Sequence, residues 1–319
     1  MTGGWVLGIV VVLATAHGAA ARDDERGWGF LIEKLAQDGV PRDRVLRVFR
    51  DDRVDAFDGL QFSLQPRESP ALYRKLHTRR TAALARRCRD RYDGAFDEAE
   101  RRFGVPSQVV AAIIQVESGC GANTGHSRIM PALARLAMAA EPVNLEQNIT
   151  RLTLMNPKLP VAGFAHWRAQ HLEDMFYPEV KATFEVADRL HVDPLEIRGS
   201  GSGAFGIPQF LPHSYLRYGV DGDGDGRVSL YDPGDAIPSC AHYLQEYGWR
   251  RGLSRKEQRN VIWGYNHSDA YIDTVLWIAD EVKSPTPEPV VKKAKARAGK
   301  GKHPAGKRTP AKARKHRRA

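Results

Sequence analysis

The chain has 319 residues, 42% of them hydrophobic, which is enough to bury a sizeable core in one large domain or two modest ones. Its formal net charge of +10 would suit nucleic-acid binding if it were spread over a folded surface. Residues 292–319, however, hold 13 Lys and Arg and no acidic residue, and the rest of the chain holds 35 against 38 Asp and Glu. No aromatic or recognition-helix pattern accompanies this basic tail, so a specific nucleic-acid partner is not expected.

The N-terminus has the features of a secretory signal sequence. The apolar run WVLGIVVVLATA at residues 5–16 is too short to span a membrane, and three alanines precede Arg22. This pattern predicts a signal peptide over residues 1–21 and export of the chain. No Lys or Arg precedes the run, which leaves an uncleaved anchor as the alternative. No cysteine follows it, so a lipoprotein anchor is not indicated.

Helical patterns dominate from Trp28 to about Asp280, and strand signals are few. We predict a mainly α-helical folded region over residues 22–282. Residues 141–178 contain four prolines and are interpreted as an irregular excursion between helices. The predicted helices lie at residues 30–40, 70–103 as one or two helices, 107–118, 180–192, 235–249 and 270–282.

The segment AAIIQVESGCG at residues 111–121 ends a predicted helix with a carboxylate. Glu117 lies four residues after Ile113 and three after Ile114, so it continues the apolar stripe of the helix. Apolar neighbours and the negative end of the helix dipole both disfavour a charged carboxylate there, which makes Glu117 a candidate proton donor. The alternative is that Glu117 caps the helix or pairs with an arginine.

Three cysteines, Cys88, Cys120 and Cys240, allow at most one internal disulfide in an exported chain. A bridge from Cys120 to either of the others would fix the end of the helix that carries Glu117. Pairing with Cys88 is favoured because both residues flank the same helical hairpin, and pairing with Cys240 stays open. None of the three lies in a motif typical of a catalytic thiol.

Residues 199–215, GSGSGAFGIPQFLPHSY, form a glycine-rich loop that differs from a flexible linker. Aromatic and aliphatic residues follow the glycines, and Pro208 and Pro212 stiffen the backbone. The Lys-Ser/Thr ending of a phosphate-binding loop is missing. We therefore expect backbone held close to a ligand, with Ser200 and Gln209 as hydrogen-bonding side chains.

The segment DGDGDGRVSLYD at residues 221–232 has the spacing of an EF-hand-like calcium loop. Gly226 lies at the position of the sharp turn, and Asp232 replaces the usual final Glu, so a structural Ca²⁺ of moderate to weak affinity is predicted. Successive Asp-Gly turns without a metal are the alternative. The predicted ligands are Asp221, Asp223, Asp225, the carbonyl of Arg227, Ser229 and Asp232.

In this order along the chain, these motifs resemble the lytic murein transglycosylase B family of bacterial cell-wall enzymes. The resemblance covers about residues 85–280. It is carried by FGVP at 103–106, VES at 116–118, TGHSR at 124–128, DPLEIRGSGSGAFGIPQFLPHSY at 193–215, the loop at 221–232, DPGDAI at 232–237 and YNHS at 265–268.

The resemblance implies a lysozyme-like helical core with an accessory helical region. It implies that Glu117 is the catalytic acid and that Ser200, Gln209, Tyr265 and Asn266 contact the substrate, the glycan strands of peptidoglycan in the periplasm or cell envelope. The implied reaction cleaves the bond between N-acetylmuramic acid and N-acetylglucosamine. Glu117 protonates the glycosidic oxygen and then removes the proton of the muramyl C6 hydroxyl, which closes a 1,6-anhydro ring. One carboxyl suffices because no water enters, whereas hydrolytic glycosidases normally use two.

Two other functions fit the sequence. One is a hydrolytic muramidase that admits water, and the other is a non-catalytic, calcium-stabilised protein that binds the cell wall. The joint presence of Glu117 and four matching polar residues favours an enzyme. Residues 283–319 lack the apolar side chains needed to fold and are predicted to be disordered. This Lys/Arg-rich tail is either an arm for anionic wall polymers or membrane surfaces, or a solvated tail.

Overall fold

The computed structural model describes residues 25–64 and 69–284, so the predicted signal peptide and nearly all of the basic tail lie outside the described residues. The chain divides into two units, of which Met1–Pro285 is the one that contains these residues. Their secondary structure is almost entirely helical, and the predicted mainly α-helical fold is confirmed. The described helices include no segment with the length and apolarity that a membrane span requires.

The described secondary structure comprises helices α1 to α13 and one antiparallel pair of short strands. Strand β1 is Ser127–Arg128, and it pairs with β2, Arg198–Gly199. The helices are, in order, Gly29–Gln37, Arg42–Phe49, Ala71–Arg74, Arg79–Arg91, Asp93–Phe103, Ser107–Ser118, Ile129–Ala137, Pro142–Met155, Val161–Leu190, Pro212–Tyr218, Pro233–Glu246, Arg255–Tyr265 and Asp269–Lys283.

Helix α6 is the central helix of the larger core. It begins directly after Pro106, whose missing N–H is no loss at a helix start, and it is capped at its C-terminus by Gly119, which has the left-handed φ of +61°. Residues 109–114 of α6 are all buried, since the helix packs against α4, α5, α11 and α13. A helix enclosed on several sides in this way holds the position of its last turn, where Glu117 lies.

The prediction of an irregular excursion over residues 141–178 is wrong, because this stretch forms α8 and most of α9. Pro142 lies at the start of α8 and Pro160 directly before α9, and both are positions that tolerate proline. Pro178 lies inside α9, where it removes one helical hydrogen bond. The helix continues because α9 packs along its length against α7, α8 and α10, which offsets the local cost.

Helix α8 and the first half of α9 enclose a second, smaller core. This core consists of Phe62, Ala139, Leu152, Val161, Ala165, Ala169 and Leu172. Two buried asparagines on α8 attach the preceding chain to it. The side-chain oxygen of Asn144 accepts the N–H of Leu60 at 2.7 Å, and that of Asn148 accepts the N–H of Phe62 at 3.2 Å.

Candidate active site

Glu117 is half-buried in the last turn of α6, where its Oε1 accepts a hydrogen bond of 2.6 Å from the hydroxyl of Tyr271. Tyr271 lies in the first turn of α13 and is 1% exposed. The Ser268 side chain caps α13 by accepting the N–H of Tyr271, which fixes the start of the helix and with it the position of Tyr271. Burial and the charge of Glu117 raise the pKa of Tyr271 well above its ordinary value. Tyr271 therefore stays protonated and remains a hydrogen-bond donor to the carboxylate.

Aromatic rings surround this hydrogen bond. The ring of Tyr271 stacks parallel to Tyr265, with centroids 6.4 Å apart, and meets Tyr73 edge-on at 5.5 Å. The hydroxyl of Tyr265 donates to the carbonyl of Pro208 at 2.5 Å, and Asn266 donates its amide N–H to the Tyr73 hydroxyl at 3.3 Å. These contacts connect the end of α12, the start of α13 and the glycine-rich loop around Glu117.

The glycine-rich loop is held mainly by its own backbone and polar side chains. Ser200 donates its N–H to the carbonyl of Ala204 at 2.7 Å, and its hydroxyl accepts the Ala204 N–H at 3.1 Å. Gln209 has a left-handed φ of +53°, and its amide donates to the carbonyls of Thr124 and Gly206. A Cβ on Gly206 would lie 2.3 Å from that of Leu230, so only glycine permits this approach.

The structure brings four of the five predicted residues into one connected region. Glu117 connects through Tyr271 to Tyr265, and Tyr265 connects to the loop that carries Gln209. Asn266 follows Tyr265 directly. The fifth, Ser200, lies at the other end of the same loop. The role of each in substrate binding stays a prediction.

Sequence reasoning missed Tyr271 and Tyr73. Tyr271 lies on the apolar stripe of AYIDTVLWIADEV, where an aromatic residue indicates core packing, and nothing in the sequence pairs it with a carboxylate 154 positions earlier.

The disulfide of the structure joins Cys88 in α4 to Cys120, directly beyond α6, with a Cα–Cα distance of 6.0 Å. Cys240 is free and buried. The disulfide therefore attaches the end of the helix that carries Glu117 to a neighbouring helix, as the favoured pairing requires. Cys120 itself has a left-handed φ of +62°, a backbone conformation that is uncommon for a residue with a side chain.

Two carboxylates of the predicted calcium loop meet a third at the start of α11. Ligand atoms of Asp221, Asp223 and Asp235 all lie within 4.8 Å of one another. Asp221 also accepts the N–H groups of Gly224 and Gly226, which closes the turn of the loop. An octahedral or larger oxygen cage is what calcium requires, and three converging carboxylates are compatible with such a cage.

Asp232, which was predicted as the final ligand, lies outside this group. Its carboxylate accepts the N–H of Gly234 at 2.7 Å and caps α11. The start of α11 instead turns the buried Asp235 toward the loop, where it accepts the N–H groups of Gly222 and Ser229 at 2.9 and 2.6 Å. Roles of Asp225, the Arg227 carbonyl and Ser229 as ligands stay predictions.

Comparison with solved structures identifies the fold class. SltB1 of Pseudomonas aeruginosa, a soluble lytic transglycosylase, superposes with a TM-score of 0.59 and 23% identity, covering 80% of this chain and 97% of that one. The lytic transglycosylase SLT35 of Escherichia coli, in complex with calcium, gives 0.61 and 22%, covering 82% and 94%. The structure of SltB3 from Pseudomonas aeruginosa with NAG-anhNAM-pentapeptide gives 0.57 and 19%, covering 81% and 78%. The fold is therefore the mainly helical, lysozyme-like fold of lytic transglycosylases.

Sequence comparison gives the family. Residues 24–258 match the transglycosylase SLT domain, and the chain belongs to that family. Membrane-bound lytic murein transglycosylase B of Escherichia coli (strain K12) is 34% identical over 163 residues, which make up 51% of this chain and 37% of that protein. The match thus spans little more than a third of the length of this curated relative.

Proposed function

We propose that the protein is a peptidoglycan lytic transglycosylase, which cleaves the bond between N-acetylmuramic acid and N-acetylglucosamine and forms a 1,6-anhydromuramyl product. The observation that carries the proposal is the 2.6 Å hydrogen bond from the buried Tyr271 to Glu117. It holds a single half-buried carboxyl in a fixed orientation at the end of a rigid helix, which suits a general acid that also acts as a base.

The proposed mechanism uses the one carboxyl twice. Glu117 first protonates the glycosidic oxygen as the bond to the muramyl C1 breaks. The resulting carboxylate then takes the proton of the muramyl C6 hydroxyl, whose oxygen bonds to C1. Every proton that Glu117 gives is returned to it, and no water is consumed. Hydrolysis would instead require a second group or a position that activates water.

The relatives support this chemistry. The Escherichia coli relative is named a lytic murein transglycosylase, and SltB3 was solved with a NAG-anhNAM-pentapeptide, a ligand that contains the anhydro ring. We extend the peptidoglycan substrate from these proteins to this chain. Ser200, Gln209, Tyr265 and Asn266 are the residues proposed to contact the glycan strand.

Mass spectrometry of purified peptidoglycan digested in H₂¹⁸O tests the proposal. A lytic transglycosylase gives anhydromuramyl ends without ¹⁸O, whereas a hydrolytic muramidase gives reducing ends that carry ¹⁸O. Intact peptidoglycan after prolonged incubation would favour the non-catalytic wall-binding protein. A parallel digestion with the Glu117→Gln variant shows whether any product depends on the activity of this protein.

We also propose a structural Ca²⁺ held by Asp221, Asp223 and Asp235. The convergence of two loop carboxylates with that of Asp235 in α11 supports it, as does the SLT35 structure that contains calcium. The ion would join the loop to α11, and through Leu230 to the glycine-rich loop, because the Leu230 carbonyl accepts the N–H of Ile207 at 2.7 Å. No step of the reaction requires the ion.

We propose that the chain is exported and acts in the bacterial cell envelope, where its substrate lies. The apolar run at residues 5–16 and the Cys88–Cys120 disulfide support this location, because structural disulfides form in oxidising compartments. The Lys/Arg-rich tail is proposed to hold the enzyme near anionic wall polymers.

A further inference from the structure

Helices α8 and α9 form a helical hairpin with an exposed apolar surface around the turn between them. Seven of the fourteen large hydrophobic side chains that are exposed among the described residues lie in or between these two helices. The five at the turn, which we call the hairpin surface, are Leu154, Met155, Leu159, Phe164 and Trp167. Their exposed fractions run from 53% for Leu159 to 79% for Leu154, so their apolar atoms face solvent.

The five side chains of the hairpin surface are not part of the smaller core that α8 and α9 enclose. The packing of the two helices therefore does not depend on them. The surface is nevertheless continuous. Met155, Leu159, Phe164 and Trp167 line one cleft, and Leu154 and Met155 line the cleft that adjoins it. A contiguous exposed apolar patch of this kind indicates a site of interaction rather than scattered surface residues.

The charged residues at the turn are cationic, whereas Glu146 lines the adjoining cleft and Glu173 lies farther along α9. Residues 147–172 contain Arg151, Lys158 and Arg168 but no Asp or Glu. Arg151 donates to neutral acceptors, the Phe62 carbonyl and the Asn148 side chain. Burial lowers the pKa of Arg168, and no acidic neighbour opposes this. The turn itself therefore offers cationic side chains beside its apolar ones, with the carboxylates farther along both helices.

We propose that the hairpin surface docks on an anionic lipid membrane. Leucine, phenylalanine and tryptophan side chains suit the boundary between headgroups and acyl chains, and the flanking arginines and lysine suit lipid phosphates. A protein partner matches less well, because protein interfaces are depleted in lysine and the exposed Lys158 directly precedes Leu159 in the chain. The hairpin gives the enzyme a membrane contact that is separate from its N-terminal segment and its basic tail.

Binding to vesicles tests the proposal on a chain from Arg22 to Ser284, which stays within the compact unit and lacks the basic tail. We expect this chain to bind phosphatidylglycerol vesicles and to bind pure phosphatidylcholine more weakly. Leu154→Ser with Trp167→Ser should lower the partition coefficient by about a hundredfold, or about tenfold for each side chain. Lys158→Gln should lower it about fivefold on the anionic vesicles alone.

The matched control is Leu72→Ser with Trp263→Ser, which removes the same residue types from exposed positions outside the hairpin surface. It should bind as the parent does. Quenching of tryptophan fluorescence by brominated acyl chains should be strong in the parent and largely lost in Trp167→Phe.

Three results would overturn the proposal. The first is a parent that does not bind anionic vesicles. The second is an equal loss of binding in both double variants. The third is self-association of the parent that only the Leu154/Trp167 variant loses, without vesicle binding, which would assign the surface to a second copy of the chain.

Discussion

The contact between Glu117 and Tyr271 joins two residues with opposite requirements. In the proposed mechanism the carboxyl gains and loses a proton, whereas the tyrosine keeps its own throughout. Burial and the neighbouring negative charge raise the pKa of Tyr271 well above its ordinary value, so the phenol is neutral at neutral pH. The tyrosine therefore orients the carboxyl without competing as an acid.

Glu117→Gln is the first residue-scale prediction. The amide has nearly the volume of the carboxyl and can still accept the Tyr271 hydrogen bond, so the fold and substrate binding should persist. It cannot donate the proton that the leaving oxygen needs, and turnover should fall at least about a thousandfold. Release of soluble muropeptides measures turnover, and co-sedimentation with peptidoglycan measures binding. Activity within tenfold of the parent would remove Glu117 from its proposed role.

Tyr271→Phe should lower kcat about tenfold or more and leave KM almost unchanged. The ring contacts with Tyr73 and Tyr265 remain, but the charge-assisted hydrogen bond to Glu117 is lost, and such a bond contributes about 1.5–3 kcal/mol. Tyr177→Phe is the matched control, since Tyr177 is also buried and hydrogen-bonded but lies on α9, where its hydroxyl contacts Asp38. Equal losses of kcat in both variants would show a general packing effect instead of positioning of the carboxyl.

At the scale of elements, periodicity predicted eight of the thirteen described helices in whole or in part, because their buried faces recur at helical spacing, and it missed α2, α7, α8, α10 and α12. Helix α6 is a clear case, as its apolar stripe, preceding proline and following glycine agree with one another. The region 141–178 was misread because proline penalties are local, whereas the packing that sustains α9 through Pro178 comes from three other helices. The sequence around Pro178 does not indicate which helices will pack against α9.

The candidate site likewise contains residues that the local sequence revealed and residues that it did not. Glu117 and the glycine-rich loop were visible because an acid on an apolar stripe and glycines among aromatic residues are anomalies of local sequence. Tyr271 and Asp235 were not visible, because each becomes relevant only when a helix start is placed against a distant segment. Counting positions within a loop assigned Asp232 instead of Asp235, since a linear count cannot show that the chain turns into α11 between them.

The disulfide gives the element-scale prediction. It closes a loop between residues 32 positions apart, and the chain-entropy treatment assigns such a loop about 3–4 kcal/mol of stability. Cys88→Ala with Cys120→Ala should therefore lower the Tm, and reduction should lower the Tm of the parent to a similar value. The double variant itself should not respond to the reductant. A parent whose Tm is unaffected by full reduction would contradict the prediction.

At the scale of the whole molecule, the basic tail should contribute to the binding of anionic wall polymer and not to catalysis. A chain that ends at Ser284 should cleave short soluble glycan fragments at the rate of the parent. It should bind purified anionic wall polymer more weakly, and the difference should grow at low salt, where screening is least. Co-sedimentation at two ionic strengths measures this. Equal retention of both chains at low salt would leave the tail with no role beyond solubility.

Calcium should act on the stability of the whole unit, because its proposed ligands tie the glycine-rich loop and α11 to one core. A ligand that binds only the folded state stabilises it by about 2.7 kcal/mol when its free concentration is about a hundred times Kd. The affinity expected for this loop is in the range of about 10⁻⁴ to 10⁻³ M, so the Tm should rise through millimolar calcium. Each kcal/mol should add about 2–4 °C.

Two aspartate variants distinguish the ligand sets. Asp235→Asn removes a carboxylate of the observed cluster and should abolish the calcium-dependent rise in Tm. Asp232→Asn removes the cap of α11, so it should lower the Tm in the absence of calcium by a small amount yet keep the rise, because Asn is also a good cap. The comparison uses the shift that calcium causes in each variant, so a general loss of stability does not affect it. If Asp232→Asn loses the shift and Asp235→Asn keeps it, the twelve-residue spacing describes the site and the cluster around Asp235 does not.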